Sequence, residues 1–229
     1  MIDTENRVIF IWNAKCGCTF LKKLFFAYLG FENYARKNVH KLNKTKWLHS
    51  PLPYDYQNYK IFLFCRNPYD RLVSGFLNKF VTDVPNYISK KIENVEELTF
   101  LDYVTLLEKN TNFDIIDEHH FGKQINVEEM KKINVNHVFD IHNIDMSILD
   151  AHFQKNSQLF QCTKQNWNAT KKNSKKMNNI FTKKVKDLKK MNVFPSYSSF
   201  YNDELREKVK RMYQTDFDYF QEKGFEYTI

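Results

Sequence analysis

The stretch Arg7-Val8-Ile9-Phe10-Ile11-Trp12-Asn13-Ala14-Lys15-Cys16-Gly17-Cys18-Thr19-Phe20 decides the fold. Its first half is a run of β-branched and aromatic residues, which predicts a strand over Val8–Trp12. Its second half is a short turn that runs into Phe20, Leu21, Leu24, Phe25 and Tyr28, apolar residues at helical spacing, so a helix is expected from about Thr19 to Leu29. A strand that turns into a helix aims backbone N–H groups and the positive end of the helix dipole at one point, where anions bind. Lys15 can place a charge on a bridging oxygen, Gly17 lets the main chain approach an oxyanion, and Thr19 offers a hydroxyl and a helix N-cap. This is not a Walker loop, whose two spaced glycines come before the Lys and the Ser or Thr; here Lys15 precedes Gly17. Read alone, the turn also serves as an ordinary strand–helix connection.

A second corner has the same plan. Lys60-Ile61-Phe62-Leu63-Phe64-Cys65-Arg66-Asn67-Pro68-Tyr69-Asp70-Arg71-Leu72-Val73-Ser74-Gly75-Phe76 predicts a strand over Ile61–Cys65 and a helix from Pro68 to about Phe80. Pro68 sits at a helix start, where the missing N–H costs nothing. Arg66, at the strand end, can grip a phosphate with both arms of its guanidinium. Ser74 lies two turns in, Leu72, Val73 and Phe76 face a core, and Arg71 is read as a structural ion-pair residue. Two such corners in one sheet hold a ligand with phosphates at both ends. They imply an α/β chain with a central parallel sheet flanked by helices.

These residues carry a resemblance. The chain resembles the carbohydrate sulfotransferases that use 3′-phosphoadenosine 5′-phosphosulfate (PAPS), above all the sulfotransferase family 2 group that sulfates chondroitin, dermatan and related glycans. Their first motif, roughly Pro-Lys-x-Gly-Cys-Thr-x-Trp, is matched by Ala14-Lys15-Cys16-Gly17-Cys18-Thr19-Phe20-Leu21. Ala14 stands for Pro, and Phe20-Leu21 stands where relatives carry Trp. Their second, roughly Arg-x-Pro-Phe/Tyr-x-Arg-Leu-Val-Ser-Ala/Gly-Phe/Tyr-x-x-Lys-Phe, is matched from Arg66 through Ser74 to Lys79-Phe80 with almost no departure. His120-Phe121-Gly122-Lys123-Gln124 is similar to the family's His-Trp-x-Pro-Gln, and Leu205, Val209, Tyr213, Asp216, Phe217 and Phe220 fit its last helix. The resemblance implies a P-loop-NTPase-like sulfotransferase fold in a single catalytic domain over 1–229. It implies that Lys15, Cys16, Gly17, Cys18, Thr19 and Phe20 bind the 5′-phosphosulfate of PAPS. It implies further that Arg66 and Ser74 bind the 3′-phosphate, and that the acceptor is a carbohydrate hydroxyl. No metal is expected.

The transfer asks for a base. His49, in Trp47-Leu48-His49-Ser50-Pro51, lies between the two corners, an interval where some glycan sulfotransferases carry their catalytic His. His120 is the second candidate; Asp117 and Glu118 are carboxylate alternatives, and His119 reads as an exposed neighbour.

Composition sets bounds on the rest. With 229 residues, 42% hydrophobic and 16% aromatic, the chain can bury a core, and 5 Gly and 5 Pro leave few places for a flexible linker. Net charge is +8, which suits anionic partners: a nucleotide, an acidic glycan or nucleic acid. It equally suits a merely Lys- and Asn-rich composition. The run Lys164, Lys171, Lys172, Lys175 and Lys176 around Asn168-Ala169-Thr170 reads as a cover for the donor or as a solvated charge run. The apolar stretch at Val8–Trp12 is too short for a signal or span, so a cytoplasmic protein is expected, with Cys16, Cys18, Cys65 and Cys162 as reduced thiols. Further elements expected are helices over Phe100–Glu108, part of Phe113–Phe121, Met146–Leu159 and Asp203–Phe220, the last capped by Asp203, and a strand over His137–Ile141. Two rival readings stay open: a nucleotide-dependent small-molecule kinase, which lacks a Walker motif and a convincing magnesium carboxylate, and a nucleic-acid-binding module, which leaves the paired corners unexplained.

Overall fold

The four strands β1 (Ile2–Asp3), β2 (Val8–Trp12), β3 (Lys60–Cys65) and β4 (His137–Asp140) form one sheet in that order. β1 pairs antiparallel with β2, while β2, β3 and β4 run parallel. The computed structural model describes residues 1–31, 33, 39, 51–83, 85–110, 117–160 and 174–229. Among them the α-helices in chain order are α1 (Cys18–Tyr28), α2 (Pro68–Phe76), α3 (Phe100–Glu108), α4 (Glu118–Phe121), α5 (Val127–Met130), α6 (Met146–Phe153), α7 (Val185–Lys189), α8 (Asp203–Met212) and α9 (Gln214–Glu222). The α/β class with a mostly parallel sheet flanked by helices is as expected. The chain divides into two compact units, Met1–Arg66 with Asn126–Trp167 and Asn67–Ile125 with Asn168–Ile229.

The first unit holds the sheet. Alternation along β2 and β3 sends Phe10, Phe62 and Phe64 to one face, where they pack with Phe139 of β4, with Leu21, Leu24 and Phe25 of α1 and with Leu149 and Phe153 of α6. The Phe10 ring meets Phe25 edge-on at 5.2 Å and Phe62 at 5.6 Å. Ile9 and Ile61 turn to the other face and pack with Ile2 and Tyr59. Trp12 is level with Phe64 in the parallel register, so β2 and β3 deliver their following loops from neighbouring carboxyl ends, where ligands of open α/β sheets bind. The expected helix over Met146–Leu159 stops at Phe153. Gln154 takes a left-handed conformation, and the Asp150 carboxylate draws the chain back by accepting from the Ser157 amide and hydroxyl and from Tyr28 Oη.

The second unit is helical around an aromatic core of Phe76, Phe80, Phe100, Tyr103, Phe121 and Phe200. Asn67 caps α2 through its side chain and Pro68 opens it, as the sequence indicates. The helix does not run on to Phe80 as α-helix. From Leu77 to Thr82 it widens into a π-turn, in which Asp83 N–H reaches Asn78 O. The Thr82 hydroxyl bonds the carbonyl of Asn78 at 3.2 Å and competes there with the regular ladder.

The last helix is also two: α8 is capped by Asn202, not Asp203, and the chain breaks at Tyr213 before α9. Tertiary bonds explain the break. Tyr213 Oη donates to Phe121 O, and the Asp216 carboxylate accepts from the amides of Gln124 and Ile125, each at 2.9 Å. Burial pushes Asp216 up to about 6, against the pull of those amides and of Arg71. Its folded pKa thus lies above its unfolded one, so its stabilising contribution is complete below about pH 4 and is lost as pH rises through 6. Asp216→Asn keeps an oxygen for the two amides and gives up the titration. Paired thermal melts should show the variant gaining on the parent as pH rises from 4 to 7; a constant difference contradicts this.

Candidate active site

The first corner is built on two left-handed residues. Lys15 has φ 66° and Gly17 φ 70°, and between them the Cys16 side chain is fully buried in the sheet-facing core. The turn closes through Cys16 N–H to Asn13 O at 3.1 Å. Gly17, and not Thr19, is the N-cap of α1, because the helix already begins at Cys18. Thr19 instead sits in the first turn with its side chain exposed, beside half-buried Cys18 and Phe20. Lys15 is unusual, since a side chain with a Cβ is strained at positive φ.

The strain is met by a partner. Arg66, 7% exposed at the end of β3, donates from Nη1 to the Lys15 carbonyl at 2.9 Å. Within the first unit, the end of β3 is therefore tied to the Lys15 turn. Sequence reasoning gave Arg66 a phosphate to hold, and the structure adds the task of holding the Lys15 peptide. Beneath the corner, buried Lys22 of α1 lies 5.0 Å from the Trp12 ring. Burial pulls its pKa down, with Cys18 acting the other way. Nothing in the local sequence marks that lysine as different from Lys23.

In the second unit, Ser74 is half-buried on α2. Arg71, one turn earlier and 3% exposed, donates from Nη1 to Gly122 O at 2.5 Å, and its charge acts on Asp216, a structural role. Beside Ser74, Gly75 packs on Phe121: a Cβ there would stand 2.6 Å from the Phe121 ring. That ring is fully buried against Phe80 and Tyr103, so it has little room to yield. Gly75→Ala should destabilise the protein by about 1–3 kcal/mol, read as a lowered midpoint in urea. An unchanged midpoint contradicts the packing.

α2 thus touches the segment that starts at His120. The His120 Nδ1 bonds Asp117 Oδ2, and the same oxygen accepts from Tyr87 Oη at 2.6 Å. Asp117 Oδ1 caps the His119 amide at 3.1 Å. His119 and Glu118 are exposed. Burial pulls the His120 pKa down and outweighs the raising effect of Asp117; Lys79 and His119 add to the fall. Burial alone would raise Asp117, but the bonds from Tyr87 and His120 and the electrostatic pull of His120 and His119 hold it below the usual carboxylate range. Tyr87 is pushed up to about 12 by burial and by the neighbouring carboxylate. Tyr87 stands 30 residues from Asp117, so no local pattern could have paired them.

His49, Cys162, Lys164, Lys171, Lys172 and Asn168-Ala169-Thr170 lie outside the described residues. Cys16, Cys18 and Cys65 are in no disulfide, and Cys65 Sγ bonds Phe139 O at 3.4 Å. Among the described residues, no cluster of three His, Cys, Asp or Glu is placed to hold a metal, and no helix is long and apolar enough to cross a membrane.

The donors gathered at the first corner are a lysine, a buried arginine, a threonine hydroxyl and the amides that open α1, a set that fits phosphate and sulfate oxygens. A family model described as "Sulfotransferase family" matches residues 1–223. Comparisons with curated proteins and with solved structures find no match.

Proposed function

Because the chain belongs to the sulfotransferase family, we propose that this sulfotransferase draws its sulfuryl group from PAPS and passes it to a hydroxyl of a carbohydrate, an anionic glycan in particular. The observation that carries the reading is the bond from Arg66 to the Lys15 carbonyl, which ties the arginine that opens the second motif to the first motif. We assign the 5′-phosphosulfate to Lys15, Gly17, Cys18, Thr19 and Phe20, and the 3′-phosphate to Arg66 and Ser74. Cys16 serves this corner as an anchor, with its side chain in the core. PAPS supplies a sulfuryl group whose departure leaves an extra charge on the 5′-phosphate. Lys15 and the amides at the head of α1 stabilise that charge where it develops. His49 and His120 are the candidates to take the acceptor's proton. Net charge +8 supports an anionic acceptor, and the lack of a disulfide at Cys16, Cys18 and Cys65 suits a reducing compartment such as the cytosol.

Radiolabelled PAPS offered with a panel of chondroitin, desulfated heparin and neutral oligosaccharides tests the proposal. Label should pass to polysaccharide. Label that goes only to a small phenol or a peptide tyrosine overturns the acceptor class. Turnover of ATP with magnesium, and none of PAPS, would favour the kinase reading.

A further inference from the structure

We propose that a cavity between α2 and the stretch 194–198 is a subsite for one uncharged sugar ring of a glycan; the choice of a glycan rests on the sulfuryl-transfer reading above. The cavity has a volume of about 390 Å³ and lies wholly within the second unit. That is the small end of the range for ligand sites, about 300–1,000 Å³, and suits a ring more than a long chain. Asn67, Asp70 and Leu77 form one wall, at helical spacing along a single face of α2. The other wall is the stretch 194–198. A short parallel bridge pins it: the Lys175 amide donates to Phe194 O at 3.2 Å and the Ser196 amide to Lys175 O at 2.8 Å.

The hydroxyl protons of this second wall can be followed one by one. Ser196 Oγ lies 3.0 Å from Ser198 Oγ and 2.8 Å from Ser199 Oγ. Ser199 is 4% exposed, and its Oγ accepts from the Met177 amide at 2.9 Å. A buried hydroxyl proton without an acceptor is costly, so Ser199 donates to Ser196. Ser196 then donates to Ser198, and the last proton of the chain belongs to Ser198, which lines the cavity. Among the described residues no group accepts it. Asn67 leaves a donor over in the same way. Its Oδ1 accepts from the Tyr69 amide, and one Nδ2 proton goes to Thr228 O at 2.8 Å. The second Nδ2 proton has no acceptor among the described residues. Opposite these donors stands the Asp70 carboxylate. A carboxylate offers about four lone-pair sites, so a partner within the fold leaves room for another.

A ligand that fits accepts at two points and donates at a third. Sugar hydroxyls do both, and one ring carries several of them beside an apolar C–H face, which Leu77 and Phe194 suit. Among the described residues no Lys, Arg or His lines the cavity, and Asp70 does, so a phosphate, sulfate or carboxylate is turned away. A purely apolar ligand would leave both donors and the carboxylate unmet. The net charge of +8 draws an acidic glycan, and this cavity selects from it a unit without charge.

Saturation-transfer NMR of the parent protein with unsulfated chondroitin tetrasaccharide, in which acidic and uncharged units alternate, tests this. Saturation should fall at least twice as strongly on the uncharged N-acetylgalactosamine as on the glucuronate, and excess adenosine should leave it in place. Stronger saturation of the acidic unit, or none of either, overturns the inference. Loss of the signal to adenosine overturns it too, by giving the cavity to a nucleoside. In calorimetry, Ser198→Ala should weaken tetrasaccharide binding by about 3–10-fold and Asp70→Asn by about 10–100-fold, with affinity for adenosine 3′,5′-bisphosphate within twofold of the parent. Unchanged tetrasaccharide affinity in both variants, or equal losses for the two ligands, overturns the inference. A parent that binds the tetrasaccharide and not the bisphosphate would instead overturn the PAPS reading and leave the sugar site standing.

Discussion

Lys15→Ala should lower kcat by about 10²–10³-fold at saturating PAPS, the range expected when one group that stabilises a developing oxyanion is removed. The reason lies in what the substitution spares. The Lys15 carbonyl belongs to the backbone, so its bond from Arg66 survives. The left-handed conformation at φ 66° strains alanine about as much as lysine, so the turn has no cause to rearrange. Only the ammonium is lost, which in our assignment stands where charge accumulates on the departing phosphate. Affinity for adenosine 3′,5′-bisphosphate should fall less than turnover does, and the melting temperature should hardly move. Turnover within a factor of three of the parent contradicts the assignment.

Arg66→Ala should have a broader effect. The residue is 7% exposed, and its guanidinium serves both the Lys15 peptide and, in our assignment, the 3′-phosphate. Truncating one member of a buried, charge-assisted pair costs about 2–5 kcal/mol, which corresponds to roughly 30- to 4,000-fold in affinity for the bisphosphate. The Lys15 turn also loses its brace, so binding of AMP, which has no 3′-phosphate, should weaken too. Arg66→Lys should recover only part of the loss, because a point charge cannot reproduce a two-pronged grip. Calorimetry of the two ligands on the three proteins checks this. Equal bisphosphate affinity in Arg66→Ala and the parent would remove Arg66 from the site.

The parts legible in the sequence are those that local chemistry dictates. Alternating apolar residues wrote β2 and β3, and Asn67-Pro68 marked the start of α2. The parallel pairing followed from two strand–helix corners in succession. What escaped is set by groups far apart in the chain. Thr19 looked like a cap because the left-handed turn at Gly17, which begins the helix a residue earlier, is a product of the packed loop. The α8–α9 break at Tyr213 is invisible in a smooth apolar period, since its causes are Phe121, Gln124 and Ile125, about 90 residues away. The brace from Arg66 to Lys15 spans 51 residues, and Tyr87 reaches Asp117 across 30. The mid-chain motif read only as a partial match. Its meaning came from its surroundings: Gly75, Arg71, Tyr213 and Asp216 all hold the segment that carries His120.

The central claim is that the chain takes a nucleotide with phosphates at both ends. Calorimetric titration with adenosine 3′,5′-bisphosphate, with AMP and magnesium ATP alongside, tests it most directly. The account predicts tight binding of the bisphosphate, with AMP weaker by at least tenfold. Equal binding of AMP and the bisphosphate, or a preference for magnesium ATP, would contradict it.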